Sequence, residues 1–304
     1  MLSSRTFGVL VAFLVSLSFW PNAVFQSGSQ TSPADEAVEQ LMVTASDGAG
    51  NPVSAPAKDS LRLRIGGREV EIQEIRSLKD TPLAFSLLVD VSGSSRQYAD
   101  QQIKASSELF RALSSGGSHG FLILFKSEIV TSDRFLEPDA VEDTLRKIPP
   151  SYRAGRTSLY DAIDRAIKQL TSAKLDGSRK AIFIFSDGGD NSSHKGLGAT
   201  VKLVQNANIP VYSVGFSKDE SSFLTPEELG GSETLQSLSH SSGGTVSFLD
   251  EPGDVGMRIA RLMDGQWLVS FKRPALKPGK FYGVKIESSN HKIRLFAPSG
   301  YSLP

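Results

Sequence analysis

The spacing of apolar residues changes near Pro82, and this change separates regions of different predicted structure. Beyond that position, short apolar runs that predict strands alternate with longer segments that have helical spacing. The strand candidates are residues 83–90, 120–125, 181–186, 210–216 and 245–249. The first four are almost continuously apolar, which is typical of strands that are covered on both faces of a sheet.

The clearest helical pattern lies between the second and third strand candidates. Its apolar positions recur every three or four residues, as an amphipathic helix requires: Leu159, Ala162, Ile163, Ala166, Ile167 and Leu170. Weaker helical patterns cover residues 103–113, 141–148, 197–204 and 254–263. The alternation of strands and helices predicts an α/β fold with a doubly wound, mostly parallel, Rossmann-like sheet.

Two short β patterns flank this predicted domain. In residues 38–80, Leu61, Leu63 and Ile65 alternate with arginines before a Gly-Gly turn, and further apolar positions follow up to Ile75. In residues 266–304, two strand candidates flank a turn at 274–279, which predicts a C-terminal β hairpin extension. Since both segments adjoin the central domain, we expect that they could pair with each other.

The N-terminal residues predict export. Arg5 precedes an uncharged apolar run at residues 7–19, which suits a signal peptide better than a membrane span. An uncleaved N-terminal anchor is the alternative. The predicted organisation is therefore a signal peptide or anchor (1–25), a Ser-rich linker (26–37), a β-rich module (38–80), an α/β domain (81–265) and the C-terminal extension.

Composition narrows the class of protein. The chain has 304 residues, a formal net charge of zero and no cysteine. Neutral charge offers no argument for binding nucleic acid or a membrane surface. A chain of this size can bury a core without disulfides, so a periplasmic, cell-surface or secreted bacterial protein fits best.

Oxygen-bearing side chains stand where the predicted strands end. Asp90 closes the first strand candidate, Ser92 and Ser94 follow it, Thr157 precedes the clearest helix, and Asp187 follows the third strand candidate. The carboxyl ends of parallel strands share one edge of a sheet, so we expect these residues to converge. Carboxylates and hydroxyls are hard ligands that suit Mg²⁺, Mn²⁺ or Ca²⁺. Taken singly, each residue could instead cap a helix.

The motifs Asp-x-Ser-x-Ser, Gly-x-Thr and Ser-Asp-Gly, in this order, resemble the metal-ion-dependent adhesion site (MIDAS) of the von Willebrand factor A domain. The resemblance implies that Ser92 and Ser94 bind the cation through their hydroxyls. Thr157 would bind directly or through water, and Asp90 and Asp187 would act largely through water. It also implies Mg²⁺ as the cofactor and an open position for a Glu or Asp carboxylate of a partner protein.

The resemblance extends from residue 38 to residue 301, where the order of segments is similar to exported acidobacterial proteins with this domain. Two positions depart from the usual pattern. Ser95 stands where Met often follows the first motif, and Arg156 replaces a frequent second glycine before the threonine. Neither departure removes a predicted ligand, and Arg156 adds positive charge beside the site.

Rival chemistry has weaker support. Residues 116–120 formally match Gly-x-Ser-x-Gly, the nucleophile elbow of α/β-hydrolases, but a predicted helix precedes them and a strand follows, which is the reverse of what that motif needs. The four histidines are dispersed and lack zinc spacing. We therefore predict a metal-dependent binding protein and not an enzyme. A structural or chaperone-like subunit of an envelope complex is the first alternative, and a serine hydrolase is the second.

Overall fold

A computed structural model describes residues 38–173, 175, 177–216, 230–251 and 254–302. The predicted signal peptide or anchor and the predicted linker lie outside these residues. None of the helices described combines the length and the apolar character that crossing a bilayer requires.

The strands of the described chain are β1 (Val38–Ser46), β2 (Leu61–Ile65), β3 (Arg68–Val70), β4 (Ile72–Ser77), β5 (Leu83–Asp90), β6 (His119–Phe125), β7 (Ile129–Thr131), β8 (Arg179–Phe185), β9 (Val211–Gly215), β10 (Val246–Phe248), β11 (Gln266–Lys272), β12 (Phe281–Ser288), β13 (Arg294–Phe296) and β14 (Gly300–Ser302). The helices are α1 (Ala99–Leu113), α2 (Pro138–Arg146), α3 (Leu159–Ser172), α4 (Leu197–Ala207), α5 (Gly231–Ser242) and α6 (Val255–Leu262).

The predicted α/β class is confirmed by a six-stranded sheet in the order β10-β9-β8-β5-β6-β7. Its strands run parallel except for β7, which pairs antiparallel with β6 at one edge. All eight residues of β5 are buried, because this strand is central and helices cover both of its faces. The five strand candidates of the sequence correspond to β5, β6, β8, β9 and β10.

Separate apolar cores lie on the two faces of this sheet. On one face, buried residues of α1, α2 and α6 pack together, including Phe110, Val141 and Ile259. On the other face, α3, α4 and α5 contribute residues such as Ile163 and Leu235. Helix α5 was not predicted, because its sequence is rich in serine and its apolar spacing is correspondingly weak.

The two flanking β segments pair, as the sequence suggested they could. Strand β1 runs antiparallel to β11, and β2 runs antiparallel to β12. The resulting four-stranded sheets, β13-β1-β11-β4 and β14-β12-β2-β3, share an apolar core that includes the fully buried Trp267 and Phe271. Residues from both ends of the described chain thus build one β unit beside the α/β domain.

The predicted C-terminal hairpin is wrong. Strand β11 pairs with β1 and β4, whereas β12 pairs with β2 and β14, so the turn at 274–279 connects two different sheets. The same applies to Ile72 and Ile75, which lie on β4 and not in the β2–β3 hairpin. A short turn can join strands of one sheet or of two, and the shared core favours the second arrangement because each strand then buries its apolar face.

Candidate metal centre

The carboxylate of Asp90 lies at the carboxyl end of β5 and is completely buried. Its Oδ1 accepts a hydrogen bond from the Ser92 N–H at 2.8 Å. Its Oδ2 accepts a hydrogen bond from the Ser186 hydroxyl at 2.7 Å. Both oxygens are therefore held in place by the loops that follow β5 and β8.

The loop after Asp90 carries the two predicted serine ligands. The hydroxyls of Ser92 and Ser94 lie 3.3 Å apart, and the Ser95 hydroxyl donates to the carbonyl of Ser92 at 2.8 Å. Ser92 is buried and Ser94 is half-buried, so the pair reaches from the sheet edge toward the surface. A short 3-10 helix at Ser94–Tyr98 precedes α1, and neither begins with a side-chain cap, which excludes the capping alternative for Asp90 and Ser92.

Thr157 lies between the other two loops. Its N–H donates to Asn191 Oδ1 at 2.9 Å, and its carbonyl accepts from the N–H groups of Asn191 and Ser192 at 3.1 and 3.0 Å. Two residues earlier, the carbonyl of Gly155 accepts from the Gly93 N–H at 3.3 Å. At the start of α3, the N–H groups of Tyr160 and Asp161 donate to side chains of Asp190 and Ser193, so capping does not explain Thr157 either.

Asp187 follows β8, the parallel neighbour of β5, and is almost completely buried. Its Oδ1 accepts from the Gly189 N–H at 2.9 Å. Gly188 between them has a φ of 87°, and a Cβ there would lie 2.1 Å from the carbonyl oxygen of Gly231. Glycine is therefore required where the Asp187 loop passes the start of α5.

The two carboxylates repel each other. Burial, and next the negative charge of Asp187, raise the pKa of Asp90 to about 7. A divalent cation beside both groups would remove this repulsion. In the described part of the chain, His, Cys, Asp and Glu do not gather in threes. A cation at this edge would therefore depend on the hydroxyls, and oxygen donors of both kinds fit Mg²⁺ or Mn²⁺.

The loops thus bring Asp90, Ser92, Ser94, Thr157 and Asp187 to one edge of the sheet. That they bind a cation stays a prediction. Asp190 and Asn191, just beyond Asp187, support this edge through hydrogen bonds to the backbone of residues 157–160. Asp190 Oδ2 accepts from the Tyr160 N–H at 3.0 Å and from the Ser193 hydroxyl at 2.6 Å, which ties the loop to the start of α3.

Sequence reasoning missed Arg153. Its guanidinium Nη1 donates to Gln102 Oε1 at 2.7 Å, to Ser95 Oγ at 3.2 Å and to the carbonyl of Asp90 at 3.3 Å. Burial lowers the pKa of Arg153, and the charge of Asp90 opposes that effect. An arginine in a polar loop has no local pattern that indicates burial, so only the folded arrangement reveals it.

The Gly-x-Ser-x-Gly match lacks the geometry of a nucleophile elbow. Residues 116–118 connect α1 to β6, and residues 119 and 120 begin that strand, at the opposite end of the sheet from Asp90. The Ser118 hydroxyl accepts a hydrogen bond from the Leu83 N–H at 3.0 Å. The ring of the adjacent His119 stacks on Phe135, with centroids 4.8 Å apart. Ser118 thus closes a turn in a helix-to-strand connection.

Several solved structures are similar to this chain. A Bacteroides fragilis structure, described as an aerotolerance-related membrane protein with multiple mutations to serines, is 17% identical, with a TM-score of 0.48 over 60% of this chain and 98% of that chain. Proximal thread matrix protein 1 of the mussel byssus, with a zinc-occupied MIDAS motif, is 14% identical, with a TM-score of 0.48 over 67% of this chain and 50% of that chain. Manganese-loaded TRAP of Plasmodium vivax is 16% identical, with a TM-score of 0.47 over 75% of this chain and 96% of that chain.

No curated protein matches the chain significantly. The family model described as von Willebrand factor type A domain matches residues 86–249. This match includes the greater part of the six-stranded sheet and all five residues of the candidate site.

Proposed function

This chain belongs to the von Willebrand factor type A domain family, and on that premise we propose that it binds a partner protein through a divalent cation. Domains of this family are generally interaction modules and not enzymes. The cation would be held by Asp90, Ser92, Ser94, Thr157 and Asp187. We propose Mg²⁺, with Mn²⁺ or Ca²⁺ as alternatives, and a Glu or Asp carboxylate of the partner as the last ligand.

The observation that carries this proposal is the pair of buried carboxylates at the ends of adjacent strands. Asp90 ends β5 and Asp187 follows β8, and burial, together with their mutual repulsion, disfavours ionisation of Asp90. A cation that compensates both charges would stabilise the ionised pair. The hydroxyls of Ser92 and Ser94, 3.3 Å apart, supply neutral donors next to them.

Neutral donors leave a bound cation electrophilic. A divalent cation, when bound, supplies a positive charge that can accept an oxygen ligand from outside the chain. Asp90 orients Ser92 through the N–H that it accepts, and Asn191 holds the backbone of Thr157. These contacts keep the hydroxyls in position while one side of the site is left for the partner's carboxylate.

We also propose that the protein acts outside the cytoplasm, in the periplasm, at the cell surface or after secretion. The apolar run at residues 7–19 supports this proposal. Membrane contact would then occur only through an uncleaved N-terminal anchor. Mass spectrometry of the native protein from the cytoplasm, the envelope and the medium tests this. A mature N-terminus beyond residue 19 indicates cleavage of a signal peptide. Protein that is found only in the cytoplasm, with an intact N-terminus, contradicts export.

Calorimetric titration with Mg²⁺ and Mn²⁺ tests the site. We expect saturable one-site binding that is lost in Asp187→Asn and kept in Asp133→Asn, which removes an exposed carboxylate outside the site. Binding of a Glu-containing peptide should then require the metal and be reversed by a chelator. Peptide binding that persists after metal removal, or a wild-type protein that binds no metal with or without the peptide, would contradict the proposal.

A further inference from the structure

Arg153 is buried next to the candidate metal centre without a directly paired carboxylate. The residue is 2% exposed. Its three hydrogen bonds go to neutral oxygens, namely those of the Gln102 side chain, the Ser95 hydroxyl and the Asp90 carbonyl. In the described part of the chain, its second terminal nitrogen, Nη2, is buried without a hydrogen-bond partner.

A buried cation of this kind needs compensation, because transfer of a charge out of water is costly. The negative charges that attract Arg153 are those of Asp90 and Asp100. Asp100 lies exposed in the first turn of α1, where water screens its charge. Asp90 is therefore the buried group that compensates Arg153 when its carboxylate is ionised, and it is also a proposed metal ligand.

We infer that Arg153 is an internal counter-cation that weakens binding of the metal alone and strengthens binding of an anionic ligand to the metal-loaded site. This inference rests on the proposed function. The two carboxylates cancel the charge of a divalent cation, so the arginine leaves one positive charge in the loaded site. A carboxylate from the partner would cancel that remaining charge. When both carboxylates are ionised, the loaded site is therefore electrically neutral once the partner's carboxylate is bound.

A second role of Arg153 has to be separated from this one. Its guanidinium connects the end of β5 with α1. Its own carbonyl accepts two hydrogen bonds from Arg96, at 3.2 and 2.8 Å. As a positioning residue alone, Arg153 would support both binding steps, so its loss would weaken both. As a counter-cation, its loss would shift the two steps in opposite directions.

The test compares the full-length wild type with Arg153→Met, which removes the charge, and Arg153→Lys, which keeps it. Free Mn²⁺ is measured by electron paramagnetic resonance, and acetate binding to the Mn²⁺-loaded protein is measured by water-proton relaxation. For Arg153→Met we expect Mn²⁺ affinity to rise and acetate affinity to fall, each on the order of tenfold. Arg153→Lys should stay close to the wild type in both.

A second variant neutralises the charge without removing the arginine. Ser95→Asp would place a carboxylate beside Nη1, which now donates to the Ser95 hydroxyl at 3.2 Å, and we expect the same pair of shifts. This variant decides the question if Arg153→Met fails to fold by circular dichroism.

The outcomes separate the two proposals. Parallel loss of Mn²⁺ and acetate affinity in Arg153→Met, or an Arg153→Lys protein that behaves like Arg153→Met, would overturn the counter-cation role while leaving the metal site intact. A folded Ser95→Asp protein with unchanged or weakened Mn²⁺ binding would also overturn it. A wild type that binds no Mn²⁺, even with acetate, would instead refute the proposed function itself.

Discussion

The hydroxyl of Ser186 donates to Asp90 Oδ2 at 2.7 Å and accepts the N–H of Gly188 at 3.1 Å. It thereby joins the end of β5 to the loop that carries Asp187. Ser186 is fully buried and is the last residue before that aspartate. The relative positions of the two carboxylates therefore depend on a side chain that is not itself a predicted ligand.

We expect Ser186→Ala to weaken metal binding by about tenfold, as is typical when a group that orients a ligand is removed. Ser213→Ala on the neighbouring strand β9 is the matched control. It removes a hydroxyl that is equally buried and forms a hydrogen bond with the Ser239 hydroxyl at 2.9 Å. Each variant should lose about 1 kcal/mol of stability. Calorimetry with Mn²⁺ would contradict the prediction if both variants bind as the wild type does.

The metal-free protein should lose stability as the pH rises. The pKa of Asp90 is about 7 in the folded protein, against 3.8 for an unperturbed aspartate. The folded state therefore keeps a proton that the unfolded chain releases. The stabilisation from this bound proton is fully present below the unfolded pKa of 3.8 and is lost as the pH rises through the folded pKa of about 7.

Thermal unfolding in a chelator, at about pH 5 and about pH 8, tests this dependence. We expect Asp90→Asn, which cannot ionise, to show a smaller loss of stability over this interval than the wild type. Added Mn²⁺ should restore wild-type stability at the higher pH, where the carboxylate is ionised. Equal pH dependence in the two proteins would show that Asp90 does not titrate in this range.

Gly188→Ala should destabilise the protein by about 2 kcal/mol or more, because it combines a left-handed φ with a steric clash against Gly231. Gly198→Ala in α4 is the control. A Cβ at that position meets open space, so we expect it to stabilise the helix by up to about 1 kcal/mol. Chemical denaturation measures both, and a stable Gly188→Ala protein would contradict the described approach of the two loops.

The α/β domain and the β unit are joined by a buried polar contact. The hydroxyl of Tyr212 on β9 lies 2.6 Å from Thr44 Oγ1 on β1, and it accepts from Gln266 Nε2 at 2.9 Å. Tyr212→Phe leaves both partners without this hydrogen bond. We therefore expect the free energy of unfolding, measured by chemical denaturation, to fall by about 1–3 kcal/mol.

Tyr282→Phe removes one exposed hydrogen bond, to the carbonyl of Lys277, and serves as the comparison. It should change the free energy of unfolding by less than about 0.5 kcal/mol. Equal effects of the two substitutions would mean that the contact between the units contributes little to stability.

Four strands of the central sheet could be predicted from local pattern, because β5, β6, β8 and β9 are buried on both faces and appear as almost continuously apolar runs. The sequence also placed the five candidate ligands, since Asp90 and Asp187 stand directly at the ends of two such runs. The family motif could be recognised for the same reason: its residues lie at positions that the strands define.

The strand pairing within the β unit and the position of Arg153 could not be predicted, because both depend on the folded arrangement of the whole chain. Alternation along β11 and β12 indicates which side chains turn inward but not which strand lies alongside, so a hairpin and two separate sheets have the same local pattern. A buried arginine likewise depends on compensation by Asp90, which is far away in sequence. Both properties arise from contacts between distant segments of the chain, which the local spacing of apolar residues does not indicate.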